Sequence, residues 1–164
     1  PEKELADIIY QYGEEKASRR IARKIVEERK KTRILTTQQL ADIVGFVVRG
    51  KFAVKSLARV FQAIRIYVNT ELDSLKELLP QAVDVLGKGG RLSIVSYHSL
   101  EDRIVKRYIA AQENPCTCPS ELPACICLKQ PTLKKVGKMI IPTQEEMEKN
   151  SNSRSAKLRI AEKL

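Results

Sequence analysis

Apolar residues recur along the first third of the chain with the period of a helix. Leu5, Ile8, Ile9 and Tyr12 follow the i, i+3, i+4, i+7 template, and Ile21, Ala22, Ile25 and Val26 resume it after Gly13. The pattern predicts helix from residue 2 to about residue 30, with Gly13 as a break or tight junction between two helices. Thr36-Thr37-Gln38-Gln39 has the form of a capping box, in which a threonine oxygen accepts an orphan backbone N–H and a glutamine reaches back. Leu40, Ile43, Val44, Val47 and Val48 then mark a third amphipathic helix. The segment 49–58 (RGKFAVKSLA) is basic and weakly periodic, contains Gly50, and reads as a connection.

From Arg59 a long helix is expected, with Phe61, Ile64, Val68, Leu72, Leu75 and Leu79 on one face, interrupted at Pro80 because proline cannot donate to the preceding turn. Gly87, Gly89 and Gly90 then turn the chain. Leu92–Ser96 is short, largely apolar and bounded by glycines, the profile of a strand covered on both faces in a parallel sheet. A helix over about 100–111 follows, then a Pro- and Cys-rich loop at 112–131. Leu133–Ile141 predicts a further strand with Gly137 inside it. Thr143 and Glu146 cap a short helix, and Ser155–Ala161 alternates like a half-buried edge strand. The layout is a helical piece, 1–58, followed by an α/β piece, 59–164, whose strands are too few for an independent sheet.

Charge sharpens this picture. Thirty Lys and Arg against twenty Asp and Glu leave a formal net charge of +10, which favours a polyanionic partner. On the second helix Arg19, Arg20, Arg23 and Lys24 crowd the face away from the apolar stripe, and Glu27 stands four residues from Arg23 for local pairing. Aromatic residues are 5% of the chain and tryptophan is absent, so phosphate contacts are expected to outweigh base stacking. No apolar run reaches the length of a membrane span. The chain opens on Pro1 and directly on a charged helical pattern, which suggests an excerpt of something longer.

In open α/β sheets ligands bind beyond the carboxyl ends of the strands. The strand at 92–96 delivers Ser96, Tyr97, His98, Ser99, Glu101, Asp102 and Arg103 to that position, and His98 is the chain's single histidine. Two readings stay open. His98 is a general base or an orienting donor in a cleft. Alternatively Ser99 caps the following helix, Asp102 stabilises its first turn, and His98 fills the loop.

The block SYHSLEDRIVKR, preceded by GKGGRLSIV and FQAIRIYVNTEL, resembles the small-subunit (16S) ribosomal RNA (cytosine-N4)-methyltransferase family of the MraW type. The opening ELADIIYQYGEEKASRRIARKIVEER and the closing NSNSRSAKLRIAEKL resemble the same family, so the likeness covers nearly the whole chain. Lys55-Ser56 and Asn150-Ser151-Asn152 depart from the family's usual His-Pro and Asn-Pro-Arg at those places. The resemblance implies a Rossmann-like class I methyltransferase with an inserted helical domain. Residues 1–58 would be most of that insertion, acting on the RNA substrate, and residues 59–164 the C-terminal part of the catalytic α/β domain. It implies a cytoplasmic enzyme that uses S-adenosylmethionine, with small-subunit ribosomal RNA or the subunit itself as partner, no membrane, and a homodimer left open.

On that mapping His98, with Ser96 nearby, is the candidate for orienting the base or relaying a proton from the cytosine amine. Arg65 and Asn69, a turn apart on the helix from Arg59, are candidates for RNA or loop contacts, and Arg19, Arg20 and Arg23 for RNA. Gly87-Lys88-Gly89-Gly90 follows a helix and precedes a strand, the reverse of what a dinucleotide or methionine-cofactor loop needs. The cofactor site is therefore expected outside this chain, which alone should be inactive.

Cys116, Cys118, Cys125 and Cys127 form C-x-C-x6-C-x-C. Four thiolates closing a short loop could satisfy tetrahedral zinc, although the commoner knuckle spacing is C-x-x-C. Reduced loop cysteines are the favoured reading, and no metal ligand is assigned from the sequence. Two other classes stay in view, a non-catalytic basic RNA-binding module around Arg19–Lys24 and a zinc-stapled interaction domain.

Overall fold

The computed structural model describes residues 1–119 and 126–164. The chain divides into two compact units, Pro1–Glu71 and Leu72–Leu164.

The first unit is helical: α1 (Glu2–Gly13), α2 (Ser18–Lys31), α3 (Thr37–Val47), a 3-10 turn (Gly50–Phe52) and α4 (Ala53–Val68). Its core takes Ile9, Ile21, Ala22, Ile25 and Val44 from the predicted stripes, with Ala6 beside them. α4 instead buries Val60, Ala63 and Ile66 in place of the expected Phe61, Ile64 and Val68, and Val68 is 70% exposed. Burying one such aliphatic side chain is worth about 1.5–3 kcal/mol, so the stripe, more than helix propensity, sets how these short helices pack. Thr36 caps α3 as expected, its hydroxyl accepting from the Gln39 amide while the Gln39 side chain accepts from the Thr36 amide. α4 begins at Ala53, inside the segment that reads as a connection, and packs on α1.

Gly13 is a tight junction. A Cβ there would lie 2.6 Å from the Arg59 carbonyl oxygen and 3.2 Å from the Ala63 Cβ, so the missing side chain lets α1 approach α4. The chain reverses at the next residue, Glu14, whose φ of 51° ends α1 in a left-handed cap. Gly13→Val should cost about 1–3 kcal/mol through overpacking against α4's backbone, read as a lower urea midpoint with an unchanged slope.

The break expected at Pro80 lies elsewhere. α4 ends at Asn69, Thr70 takes φ 50°, and α5 (Glu71–Val85) then runs straight through Pro80. Pro80 is on the exposed side of α5, where the helix can adjust around its missing N–H with solvent at hand.

The second unit continues with β1 (Arg91–Ser96), α6 (Ser99–Glu113), β2 (Leu133–Lys135), α7 (Gln144–Lys149), a 3-10 turn (Ser151–Ser155) and β3 (Lys157–Lys163). The sheet order is β1-β3-β2, with β3 antiparallel to both neighbours; Leu92 faces Ala161, and Leu133 faces Lys163.

Three strand readings are corrected. β1 is not covered on both faces in a parallel pairing: it pairs antiparallel with β3, and Arg91, Ser93 and Val95 are exposed. The last strand is the centre of the sheet and not an edge; Arg159 and Lys163 reach partners at Asp102 of α6 and at the end of α5 on long stems, which alternation alone cannot distinguish from an exposed rim. The strand expected over Leu133–Ile141 stops at Lys135, because Gly137 at φ 67° turns the chain before one isolated bridge, Ile140 to Leu158.

Val83, Val105, Ile109, Leu133 and Ala161 make the core of this unit. Lys163 closes α5: its ammonium donates to the carbonyls of Val83 (2.8 Å) and Leu86 (2.7 Å), satisfying acceptors that a helix end leaves open.

Candidate functional site at the carboxyl end of β1

β1 places Ser96 at its last position, buried, with Oγ donating to the Lys157 carbonyl at 3.4 Å across the pair to β3. Tyr97 follows with its ring 57% exposed, and His98 comes next. Ser96 and His98 are thus brought together at one strand end, as the sequence suggested.

His98 itself is the N-cap of α6, a place the sequence reading gave to Ser99. Its Nδ1 accepts from the Glu101 amide at 3.4 Å, and a Glu101 carboxylate oxygen accepts from the amides of Tyr97 (2.9 Å) and His98 (3.3 Å). Histidine can do this because a short ring with an extended backbone reaches the third residue of the helix, as threonine does in an ordinary capping box. With Nδ1 as acceptor, the ring N–H lies on Nε2, which stands 3.3 Å from Glu101 Oε1. The His98 side chain is 8% exposed, so the ring is enclosed, with its Nδ1 edge on the helix.

Asp102, one residue further on, was read as a first-turn charge only. It is buried, and its carboxylate takes two bonds from the Arg159 guanidinium, Nε at 2.7 Å and Nη2 at 3.1 Å, with Lys157 Nζ at 3.6 Å. The hydrogen bonds from Arg159 hold the Asp102 carboxyl below the usual range against the opposing effect of burial, with the charges of Arg159 and Lys157 acting in the same direction. This network ties α6 to β3 beneath the strand end and so fixes where His98 stands.

In the helical unit, Arg19 and Arg20 are exposed, and among the described residues neither has a carboxylate in ion-pair reach. Arg23 pairs at 3.8 Å with Glu2 of α1, while Glu27 and Glu28 turn to Lys24. Arg19 and Arg23 line a shallow cleft of about 420 Å³ with Glu2, Lys3, Ala6 and Asp7. Arg65 and Asn69 converge on one partner: Arg65 grips Glu71 with two bonds, at 2.9 and 3.1 Å, and Asn69 Nδ2 adds a third at 3.1 Å. Two features here carried no sequence signal. Phe46 is 59% exposed, with the Lys24 ammonium 4.7 Å and the Arg49 guanidinium 5.3 Å from its ring centre. Glu15 is buried: burial pushes its carboxyl up, but the Ala17 amide, the Ser56 hydroxyl and the Arg59 guanidinium outweigh that and hold it low.

The glycines before β1 make no cofactor cradle. The Gly89 amide donates to the Lys163 carbonyl, the Gly90 amide to Gly87, and a Cβ on Gly90 would lie 2.8 Å from the Gly87 oxygen. These amides are committed to holding the turn against β3 and are not turned toward an anion. Among the cysteines, the sulfurs of Cys116, Cys118 and Cys127 lie within 4.8 Å of one another, and Cys125 lies outside the described residues.

A family model described as the MraW methylase family matches residues 1–164, and the chain belongs to that family. It is 50% identical over 167 residues to the ribosomal RNA small subunit methyltransferase H of Carboxydothermus hydrogenoformans, covering 100% of this chain and 54% of that protein. It is 46% identical to the protein of the same name from Dehalococcoides mccartyi, over 98% of this chain and 46% of the relative. The Clostridium botulinum (strain Kyoto / Type A2) protein is 49% identical over 99% of this chain and 54% of its own length. The chain therefore spans about half the length of the curated relatives it matches. No helix among the described residues is long and apolar enough to cross a membrane, and nothing in these relatives supports the homodimer left open above.

Proposed function

We propose that this chain is the RNA-facing part of a cytoplasmic, S-adenosylmethionine-dependent methyltransferase that modifies the N4 amine of a cytosine in small-subunit ribosomal RNA. Family membership and the relatives' names support the reaction class. The observation that carries the site is the rigid His98 cap at the carboxyl end of β1.

Residues 59–164 are read as the C-terminal part of a Rossmann-like class I domain, and two features support this. β1 and β2 run parallel to each other, each antiparallel to β3, and are joined through α6, so β1-α6-β2 is a crossover of the type that builds doubly wound sheets. Among the described residues β1 also leaves one edge of six residues unpaired in the sheet, where further strands of a larger sheet would add. The cofactor is assigned to the half of the family sequence that this chain does not span.

Within this chain, His98 is the residue that orients the base, its Nε2–H exchanging Glu101 for the base on substrate binding, since Nδ1 is engaged by the helix. Ser96 acts on it by anchoring the strand end to β3. Tyr97 offers the only aromatic face beside His98 in the sequence around it, a surface on which a base can stack. Residues 1–58 are read as the helical insertion, with Arg19, Arg20 and Arg23 contacting phosphates. Arg65 and Asn69 contribute through Glu71, by holding the turn between α4 and α5.

Replacing Arg19, Arg20 and Arg23 together by alanine should weaken binding of small-subunit RNA at least tenfold. The slope of log affinity against log salt should fall by about 2–3, one for each phosphate contact removed. Filter binding of the chain and the triple variant across a salt series checks this. The enzymatic reading is tested by grafting the chain in place of the matching segment of the Carboxydothermus hydrogenoformans relative. The graft should transfer methyl groups to small-subunit RNA; a folded, RNA-binding graft with no transfer would refute it.

A further inference from the structure

The loop between α6 and β2 has a closed stem. At the stem, the Thr132 amide donates to the Gln112 carbonyl at 3.0 Å, and the Lys135 amide to the Glu113 carboxylate at 3.0 Å. Beyond the stem, none of the described residues in 114–119 and 126–131 is buried, and Ile126 and Leu128 are 72% and 79% exposed. Among the described residues of this loop, no buried apolar side chain offsets the entropy of ordering it. Yet its two limbs meet. Lys129 Nζ on the second limb donates to Thr117 Oγ1 on the first at 3.2 Å, and the three sulfurs of Cys116, Cys118 and Cys127 converge to within 4.8 Å of one another.

We propose that Cys116, Cys118 and Cys127 are ligands of a structural zinc ion that staples the two limbs together. Zinc bound to thiolates at about 2.3 Å sets neighbouring sulfurs about 3.8 Å apart, so each sulfur need move by only about half an ångström from the observed limit. Leu128, directly after Cys127, is a non-glycine residue at φ 52°, a conformation that persists only where the surroundings impose it. Ligation of the preceding thiolate is such an imposition. The three thiols lose their protons to solvent on binding, so affinity rises with pH. The charge excess of the resulting site is negative, and it sits beside Lys129 in a chain of net charge +10. The fourth coordination position is left to another donor. The proposed role is structural, to hold the two limbs of the loop together, and is independent of the proposed methylation.

The test uses the 164-residue chain, purified under reducing conditions without a histidine tag. Elemental analysis should find about one zinc per chain. After chelation, cobalt(II) should bind with the same stoichiometry and give the thiolate-to-cobalt charge-transfer band and intense visible absorption of tetrahedral sulfur ligation. X-ray absorption of the zinc form should show three or four sulfur neighbours; fewer than three overturns the proposal. The triple variant C116S/C118S/C127S should lose the metal, and retention would place it elsewhere and overturn the assignment. Zinc below about a tenth of stoichiometric in the wild-type chain with no cobalt–thiolate band overturns it too, as does a native mass showing these cysteines in a disulfide. The wild-type cobalt spectrum decides the matter even if the variant does not fold.

Discussion

Asp102→Ala should lower the unfolding free energy of the chain by about 3–5 kcal/mol, among the larger effects available to one substitution in it. Asp102 and Arg159 are 12% and 15% exposed, and among the described residues no other carboxylate pairs with the guanidinium. Truncation thus strands a mostly buried cation between α6 and β3, with Lys157 as a second positive charge 3.6 Å from the vacated position. An exposed pair would lose at most about 1 kcal/mol, so the magnitude separates the two cases. The pH dependence has a definite sign. The folded-state pKa of Asp102 is depressed, chiefly by the Arg159 hydrogen bonds, so its contribution is complete above the ordinary aspartate value of about 3.9 and is lost as pH falls through the lower folded value. Urea unfolding at pH 7 should show the full difference between wild type and variant, and the two curves should converge as the pH falls below about 4.

His98→Ala in the grafted enzyme should reduce turnover by about 10²-fold or more and change RNA affinity by less than about threefold. The asymmetry follows from the geometry. A ring fixed on Nδ1 by the Glu101 amide has only its Nε2 edge to exchange Glu101 for the base, which matters when the amine is aligned and little for docking a polyanion. The cap itself is worth about 1 kcal/mol, so His98→Asn, which can retain a capping oxygen, separates the roles. It should restore the unfolding midpoint and leave turnover low. Equal losses of turnover and affinity, or recovery of both in His98→Asn, would return His98 to a purely structural role.

Local patterns proved readable where a single helix supplied all the information. The stripe through Ile9, Ile21 and Val44, the Thr36 cap and the strand position at 91–96 are properties of neighbouring residues. Strand order is not such a property. β3 lies between β1 and β2 because of pairings across more than sixty positions in the case of Ser96 and Lys157, and the same alternation of Leu158 and Ile160 with charged residues would suit an edge. The break at Thr70 rather than Pro80 escaped for a related reason: what ends α4 is a clamp of Arg65 and Asn69 on Glu71, and what permits Pro80 is its exposure.

At the candidate site the histidine was visible and its partner was not. Glu101 stands three residues from His98, the spacing of a capping box, but histidine is outside the usual set of N-cap residues and the signal passed to Ser99. Asp102 reads as one charge of a first turn until Arg159 is seen against it. The basic face of α2 was legible as charge; which of its arginines is paired depends on α1, through Glu2.

The most direct measurement is the identity of the nucleoside made by the grafted enzyme. Small-subunit RNA methylated by the graft, digested to nucleosides and resolved by mass spectrometry, should contain N4-methylcytidine, and the yield should collapse with His98→Ala. Methyl incorporation at a ring carbon, on a ribose or on a base other than cytosine would contradict the account. So would the same yield of N4-methylcytidine with and without His98.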